Sequence, residues 1–374
     1  MKRLFFVFMV LIFLTNPVKA SAIGTSATGA ILINGDTGSV IYEQNAYEKL
    51  PMASTTKIMT ALLLCENADL EKEITVTDEM VRVEGSSMGL LPGDRVTFHD
   101  LLYGMLLASG NDAANTTAIS IGGSVDGFVK MMNQKASQLG LKDTSFQTPS
   151  GLDGDNHYTT ARDLAILARY AMQNESFYKA ASSQSAVLNY GNPPYRRSLT
   201  NHNKLLQSFN GAVGVKTGFT KKSGRCLVSA AKRDGKYVIA VTLRDPNDWA
   251  DHACLLEYGL NQLTPTNVSP QTSNYTVKVL KGVKEEILLE IKPITLGLGI
   301  NEDISCKVKL PKKLPAPVRK GQKIGYVHYL KNGEIIKTVD ILSPEDIAKR
   351  KIEKTNIDIL EENLKYIFLS IWEK

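Results

Sequence analysis

Residues 53–64 read Ala-Ser-Thr-Thr-Lys-Ile-Met-Thr-Ala-Leu-Leu-Leu and place a hydroxyl, Ser54, three residues before an amine, Lys57. Because three residues advance an α-helix by roughly 300°, the two side chains would lie on one side of a helix, a turn apart. A serine beside a rigidly held amine can act as a nucleophile with its general base. The helix is expected to bury its other face, since apolar residues recur with helical spacing at Ile58, Ala61, Leu62 and Cys65.

The Ser-x-x-Lys pattern is by itself a weak signal. The same spacing occurs at Ser176 and Lys179 and again at Ser229 and Lys232, and a serine at a helix start is commonly only an N-cap. Against simple capping, a lysine at the third position cannot return the reciprocal hydrogen bond that Glu or Gln gives in a capping box. Features elsewhere in the chain must therefore decide which serine is functional.

Composition places the chain among folded soluble proteins rather than disordered or multi-span ones, with 43% hydrophobic and 22% charged residues. Its 374 residues predict two domains with appendages. The net charge is +6, and one stretch without any acidic residue carries Lys307, Lys309, Lys312, Lys313, Arg319, Lys320 and Lys323. Because aromatic residues are scarce there and no nucleic-acid motif accompanies it, a solvated basic face is favoured and no nucleic-acid partner is expected.

The N-terminus predicts export. Met1-Lys2-Arg3 precedes an unbroken apolar run from Leu4 to Leu14, and small residues follow at Ala20 and Ala22. The run is short for a membrane span, so residues 1–22 are predicted to be a cleaved signal peptide. Four cysteines have neither a C-x-x-C spacing nor a metal-ligand rhythm with the five histidines, so no metal, no cofactor and no disulfide framework is expected. Export without evident disulfides favours a bacterial envelope.

Residues 23–263 predict an α+β domain with helices on an antiparallel sheet. A hairpin is expected over 31–42, and the domain is expected to end with strands at 213–218, 225–232 and 236–243, the last two joined by Asp234-Gly235, and then a helix at 249–259. Residues 182–203 are expected to be irregular. The remaining helices are expected to begin near Ser54 and to occupy 98–107, 113–121, 125–139 and 160–172.

Two further segments with different residue patterns follow the first domain. Residues 264–342 alternate like short strands, with turn signals at Lys281-Gly282 and Asn332-Gly333, and predict a small all-β domain. Residues 343–374 predict an amphipathic helix, and its position at the chain end favours a membrane interface over a docked core helix. When the segment is treated as a helix, its apolar residues share one face: Ile357, Leu360, Leu364, Ile367, Phe368, Ile371 and Trp372.

Two more chemical elements follow Ser54 and Lys57 in order. Ser109-Gly110-Asn111 ends a predicted buried helix, and Lys216-Thr217-Gly218 lies in an extended alternating stretch. Similar sequences occur at 208–210 and 222–224, but the first lies in an unpatterned polar region and the second in a turn. Context therefore favours residues 109–111 and 216–218 as the functional elements.

Together the three elements resemble the signature of β-lactamases and penicillin-binding proteins. Within that group the chain is most similar to low-molecular-mass D-alanyl-D-alanine carboxypeptidases, whose β-lactamase/transpeptidase-like fold is thereby implied. The likeness extends to the downstream β domain and tail helix, and to Asp36-Thr37-Gly38, Gly85-Ser86-Ser87, Pro92-Gly93 and the segment from Gly151 through Asp163.

The resemblance implies a role for each residue of the constellation. Ser54 would attack the carbonyl between two terminal D-alanines while Lys57, kept neutral by burial or by Lys216, takes its proton. Ser109 would relay a proton to the leaving amine, and Asn111 would hold Lys57 or the substrate amide. The substrate's terminal carboxylate would bind Lys216 and Thr217, Gly218 would admit the substrate backbone, and the oxyanion hole would use the backbone N–H groups of Ser54 and Phe219.

The resemblance thus implies a serine carboxypeptidase that trims peptidoglycan pentapeptides in cell-wall biosynthesis and remodelling. Expected partners are peptidoglycan stem peptides, β-lactam antibiotics as covalent inhibitors and, through the tail helix, the outer face of the bacterial cytoplasmic membrane. A D,D-endopeptidase, a β-lactamase or a non-catalytic wall-binding protein remain alternatives. For His157 and Asp163, loop support and helix capping are favoured over catalysis. By the resemblance, His202 lies where a further polar or basic residue near the pocket is expected, and a surface histidine is at least as good an interpretation.

Overall fold

The computed structural model describes residues 23–351, 360–361 and 363–365. Its helices are α1 (Lys57–Asn67), α2 (Asp78–Val81), α3 (Phe98–Leu106), α4 (Asn111–Gly122), α5 (Val125–Gln138), α6 (Ala161–Ala171), α7 (Glu175–Ser182), α8 (Leu205–Ser208) and α9 (Asp248–Gln262). The strands of the first domain are β1 (Gly29–Asn34), β2 (Val40–Gln44), β3 (Glu73–Thr75), β4 (Arg95–Thr97), β5 (Ser185–Gly191), β6 (Pro194–Thr200), β7 (Ala212–Thr220), β8 (Gly224–Arg233) and β9 (Lys236–Leu243).

A five-stranded antiparallel sheet, in the order β2-β1-β9-β8-β7, organises this domain. Both predicted hairpins are confirmed, because the side chain of Asn34 accepts the backbone N–H groups of the first turn, and Asp234 and Gly235 both adopt positive φ angles in the second. Successive residues of β1 point to opposite faces, so Ile31 and Leu32 enter different cores. Most of the helices cover one face of the sheet and α9 covers the other, which confirms the α+β class.

The expectation that residues 182–203 are irregular is wrong. They form the β5–β6 hairpin, which extends β3 and β4 into a second, four-stranded sheet. This hairpin is largely solvent-exposed, so only a few of its residues, such as Leu188 and Tyr190, are buried. A mostly exposed hairpin lacks the alternation of apolar and polar residues on which strand prediction depends.

The chain then enters the all-β domain. Its strands are β10 (Thr264–Val268), β11 (Asn274–Leu280), β12 (Glu286–Glu290), β13 (Ile294–Leu298), β14 (Ser305–Lys309), β15 (Lys313–Pro315), β16 (Lys323–Lys331) and β17 (Glu334–Leu342). They surround a separate hydrophobic core. Glu302 joins the two domains, because its carboxylate accepts hydrogen bonds from the opening hairpin of the first domain and from Lys331 of the second.

The predicted start of the tail helix at residue 343 is wrong. Residues 343–350 run extended along the β domain, where Ile347 is buried and pairs with Val318. Residues 360–361 and 363–365 are helical. The rest of the predicted helix, and the predicted signal peptide 1–22, lie outside the described residues. Among the residues that are described, no helix has the length and apolar character needed to cross a membrane.

Candidate active site

Ser54 lies in a short 3-10 turn, Ala53–Thr56, that leads directly into α1. Ala53 before it adopts a positive φ of 46°, a conformation that costs energy for a non-glycine residue. A neighbouring loop packs so tightly on this turn that a Cβ at Gly151 would lie 2.0 Å from the Ala53 carbonyl oxygen. The serine is therefore held in a sharply bent, well-supported segment and remains half-exposed.

The Lys57 amine is completely buried and has three polar neighbours. Its Nζ lies 2.9 Å from Ser54 Oγ, 2.7 Å from Asn111 Oδ1 and 2.7 Å from the Ser150 carbonyl oxygen. A neutral amine has two protons, which the amide and carbonyl oxygens can accept. Its lone pair is then directed to the third neighbour, the Ser54 hydroxyl, which is the geometry that a general base requires.

Electrostatics favour the neutral amine. Burial, followed by the nearby Lys216 ammonium, holds the pKa of Lys57 well below its ordinary value. Lys216 is buried as well, and burial lowers its pKa to about 7. Two buried amines cannot both retain a proton cheaply, and the Asp112 carboxylate, which acts in the opposite direction, affects the pKa of Lys57 less than burial or Lys216 does.

Ser109 and Asn111 lie in the junction between α3 and α4. Ser109 adopts a positive φ of 58°, and Lys216 Nζ donates a 3.0 Å hydrogen bond to its Oγ. The Asn111 amide is oriented by the hydrogen bond that its Nδ2 donates to the Glu84 carbonyl oxygen at 2.6 Å. That bond fixes which amide atom faces Lys57, so the asparagine presents an acceptor to the amine.

Asp112 supports the opposite wall of the site. Its carboxylate accepts the Ser87 hydroxyl and the backbone N–H groups of three successive residues, Met88, Gly89 and Leu90, at 2.5–3.0 Å. This arrangement ties the loop that contains Ser86 to the start of α4. This contact was not expected from the sequence, in which only the acidic residue directly after Asn111 could have indicated it.

Lys216, Thr217 and Gly218 lie on the edge strand β7, beside the turn that carries Ser54. A Cβ on Gly218 would approach the backbone nitrogens of Ser54 and Thr55 to 3.1 Å. The glycine therefore allows the strand to lie against the turn, in addition to the substrate approach expected from sequence. The Phe219 side chain is 66% exposed at the rim.

A cavity of about 340 Å³ opens above Ser54. Five of its lining residues were predicted from the sequence to belong to the site: Ser54, Ser109, Thr217, Gly218 and Phe219. His202 also lines it, which places this side chain at the site and not merely on the surface, and burial with the neighbouring Lys216 lowers its pKa. The other lining residues were given no site role from the sequence: Ser86, which was noted only as part of the family likeness, and Lys204, Arg225, Asp248 and Trp249.

His157 and Asp163 support the site from outside the cavity. His157 is buried, its Nε2 lies 2.8 Å from Thr56 Oγ1, and its Nδ1 accepts the Gln147 N–H. Burial lowers its pKa to about 4, so the ring is neutral at physiological pH. Asp163 lies at the start of α6, which Thr160 caps. Loop support agrees with these contacts, because the Asp163 carboxylate accepts the Asp143 N–H and the Thr144 hydroxyl, whereas the helix cap is Thr160 and not Asp163.

The competing serines are in different surroundings. Ser229 is fully buried in the sheet, where its hydroxyl contacts the ring of His252 under α9. Ser176 lies partly exposed at the start of α7, and neither serine lines the cavity above Ser54. All four cysteines are free thiols. Within residues 23–351 and the described part of the tail, no cluster of His, Cys, Asp or Glu could hold a metal ion.

Comparison with known protein families gives two matches along the chain. The peptidase S11 family, described as D-alanyl-D-alanine carboxypeptidase, matches residues 16–247. The C-terminal domain of penicillin-binding protein 5 matches residues 266–349.

Individual proteins match over most of the chain. The D-alanyl-D-alanine carboxypeptidase DacF of Bacillus subtilis is 35% identical over 347 residues, which cover 88% of each protein. DacC of Escherichia coli, with the same description, is 33% identical over 85% of this chain and 84% of its own length.

Solved structures of DD-peptidases and penicillin-binding proteins are also similar to this chain. The DD-transpeptidase of Streptomyces K15 has a TM-score of 0.61 at 33% identity and covers 64% of this chain and 98% of its own. Penicillin-binding protein 5 of Haemophilus influenzae has a TM-score of 0.63 at 26% identity and covers 87% of this chain and 98% of its own.

Proposed function

Because the chain belongs to the peptidase S11 family of D-alanyl-D-alanine carboxypeptidases, we propose that it removes the terminal D-alanine of peptidoglycan pentapeptides through an acyl-enzyme on Ser54. The protein is thus a serine-type D-alanyl-D-alanine carboxypeptidase of cell-wall metabolism. Which residues perform the reaction is the proposal, and the contacts around Lys57 support it best.

In the first step Ser54 Oγ attacks the carbonyl carbon between the two D-alanines and transfers its proton to Lys57 Nζ. The 2.9 Å separation of Oγ and Nζ supports a direct transfer. Asn111 and the Ser150 carbonyl occupy the other two protons of the amine, so the basic lone pair has no competing partner. The negative charge that develops on the carbonyl oxygen is received by the backbone N–H groups of Ser54 and Phe219.

In the second step the C–N bond breaks and the leaving amine takes a proton. The proton is the one that Lys57 took from Ser54, and Ser109 is its proposed relay, since the Ser109 hydroxyl lines the cavity and is oriented by the hydrogen bond that it accepts from Lys216. Free D-alanine departs with this proton, Lys57 is neutral again, and the acyl group remains on Ser54 as an ester. Water then attacks the ester with Lys57 again as the base, which regenerates the Ser54 hydroxyl and releases the shortened peptide.

Substrate selection is assigned to the β7 side of the cavity. The Lys216 ammonium and the Thr217 hydroxyl suit the terminal carboxylate of the peptide, which an exopeptidase must recognise. Gly218 leaves room for the substrate backbone beside the strand. β-Lactam antibiotics carry a carboxylate next to a reactive amide, so they are expected to acylate the same serine.

The single observation that carries the assignment is the contact of Lys57 Nζ with Ser54, Asn111 and Ser150. The test is incubation of the mature protein with a labelled penicillin, mapping of the adduct and measurement of D-alanine release from a pentapeptide. Ser54→Ala should abolish both signals, whereas Ser229→Ala, the matched control, should keep the label. A label on another serine would refute the assignment. Rapid turnover of label without D-alanine release would indicate a β-lactamase.

The cellular setting is also a proposal. The predicted signal peptide supports export, and the amphipathic residues of the tail support attachment to the outer face of the bacterial cytoplasmic membrane. Truncation after Lys351 should release most of the protein from membranes without loss of D-alanine release. Full retention of the truncated protein on membranes would contradict the tail anchor.

A further inference from the structure

The hairpin between β11 and β12 lies where the chain leaves the β domain. Gly282 in its turn bridges to Lys349, the Val283 N–H donates to the Ala348 carbonyl at 2.9 Å, and the Arg350 N–H donates to the Lys281 carbonyl at 2.7 Å. The last continuously described residues therefore run beside this turn. Any surface to which the tail attaches would lie next to the hairpin.

This hairpin exposes large apolar side chains. Leu280 is 47% exposed and Val283 is 56% exposed, although neighbouring residues of the same strands fill the core of the domain. Leu288 is 62% exposed but lies opposite Thr276, farther from the turn. Single exposed apolar residues are ordinary, but two of them in one turn that also carries lysines favour a surface that contacts something less polar than water.

A basic cavity of about 260 Å³ accompanies these side chains. It is lined by Lys278, Leu280, Lys281, Glu285 and Arg350, together with Val279 and Gly282. Glu285 pairs with Arg350 at 3.2 Å, so one cation of the three is neutralised. Lys278 and Lys281 form no ion pair with any described residue. Two unpaired ammonium groups at a concave surface are suited to a singly charged phosphate.

The charge of the tail gives it no electrostatic attraction to an anionic membrane. Residues 352–374 contain three lysines and five acidic residues, so apolar burial has to carry the attachment of this segment. A basic patch beside the tail would add attraction to anionic lipids. The hairpin supplies basic and apolar groups at the point where the tail begins.

We propose that residues 278–285, with Arg350, form a lipid-docking surface, in which Lys278 and Lys281 bind the phosphate of an anionic phospholipid while Leu280 and Val283 enter the headgroup boundary. The inference rests on the proposed membrane location. It extends that location from the tail to the folded β domain. Docking at two points would limit rotation of the β domain relative to the membrane plane.

The test is vesicle co-sedimentation of the full mature chain and of the chain truncated after Lys351. Vesicles are phosphatidylcholine alone or phosphatidylcholine with phosphatidylglycerol at one lipid in three. Lys281→Ala should weaken binding to the anionic vesicles roughly fivefold and leave binding to neutral vesicles unchanged. Val283→Ser should weaken binding to both. The matched controls are Lys309→Ala, on another strand, and Ile300→Ser, at an apolar residue that is 88% exposed elsewhere.

The outcomes separate the proposals. Equal binding of the hairpin variants and the wild type would overturn the docking surface while the tail anchor stands. Equal losses in the hairpin variants and their controls would also overturn it. Displacement by soluble glycerol phosphate, but not by chloride at the same ionic strength, would indicate a site for a free phosphate and overturn the lipid assignment. No binding of the full chain to any vesicle would overturn both membrane proposals. D-alanine release from a soluble pentapeptide tests the peptidase separately, and it should be unchanged in every variant.

Discussion

Replacing Asn111 by aspartate should shift the pH dependence of acylation to higher pH. The substitution keeps the side-chain shape but places a negative charge 2.7 Å from the Lys57 amine. The amine must be neutral to accept the Ser54 proton, and its pKa is low because of burial and Lys216. A carboxylate at this distance favours the protonated amine, so a larger share of the enzyme becomes inactive at neutral pH.

The size of the shift follows from the 2.7 Å distance between the two groups. Two unit charges at that separation attract by about 6 kcal/mol at an effective dielectric constant of about 20, which corresponds to about 4.5 pKa units. The buried carboxylate also loses hydration and faces the Glu84 carbonyl, which accepted a hydrogen bond from the original amide. These costs reduce the shift to about 1–3 units. Each unit by which the pKa exceeds the assay pH lowers the neutral fraction, and the rate, tenfold.

The assay is the second-order rate of acylation by a labelled penicillin across a range of pH. The wild-type rate should rise as Lys57 loses its proton, and this limb should move upward in Asn111→Asp. Asn111→Ala is the matched control, because it removes the same hydrogen bonds without adding charge, and its limb should not move upward. An unchanged limb in Asn111→Asp, or equal displacement in both variants, would refute Lys57 as the general base. Thermal unfolding of each variant checks that the fold is retained.

Three further predictions concern the rest of the molecule. Lys216→Ala should lower kcat/KM for a peptide with a free terminal carboxylate much more than for its C-terminal amide, and equal losses on both peptides would contradict carboxylate recognition. The same substitution should remove the fall in kcat/KM above about pH 7 that deprotonation of Lys216 causes. Gly218→Ala should slow penicillin acylation by up to about 10³-fold, the cost of losing an oxyanion donor, because the added methyl group crowds the Ser54 nitrogen. A wild-type rate would contradict the crowding of this nitrogen by the added methyl group. Burial raises the pKa of Glu302, but hydrogen bonds from Lys331 and Ser39 lower it, and the resulting pKa is about 2. The ionised Glu302 carboxylate therefore stabilises the fold above its ordinary pKa of 4.5, and this stabilisation is lost as the pH falls toward 2. Urea unfolding of Glu302→Gln should therefore differ from wild type at neutral pH and much less near pH 3, and a constant difference would contradict this.

Local sequence was sufficient for the elements that depend on neighbouring residues. The turn at Asn34 requires only an amide side chain and a glycine within a few residues, and the Asp234-Gly235 turn requires two residues that tolerate positive φ. The cap of α6 at Thr160 is equally local. Each of these was predicted because the interaction that forms it spans a short segment of chain.

Where segments distant in sequence meet, prediction failed or remained incomplete. The hairpin at 185–200 carries few buried residues, so its strands were not recognised. Residues 343–350 were assigned to a helix because apolar spacing alone cannot show that Ile347 fills the core of the β domain. In both cases the deciding contact joins parts of the chain that are remote from each other.

The sequence by itself determined the order of the three chemical elements, and that order favours Ser54 as the nucleophile among three serines with the same spacing to a lysine. The tertiary structure alone decided why its lysine can be a base: Lys57 is buried, close to Lys216, and held by the Asn111 amide and a backbone carbonyl at Ser150. A backbone oxygen leaves no signature in sequence, since every residue has one. Likewise, the pKa of an amine depends on burial and neighbouring charge, which exist only once the chain has folded.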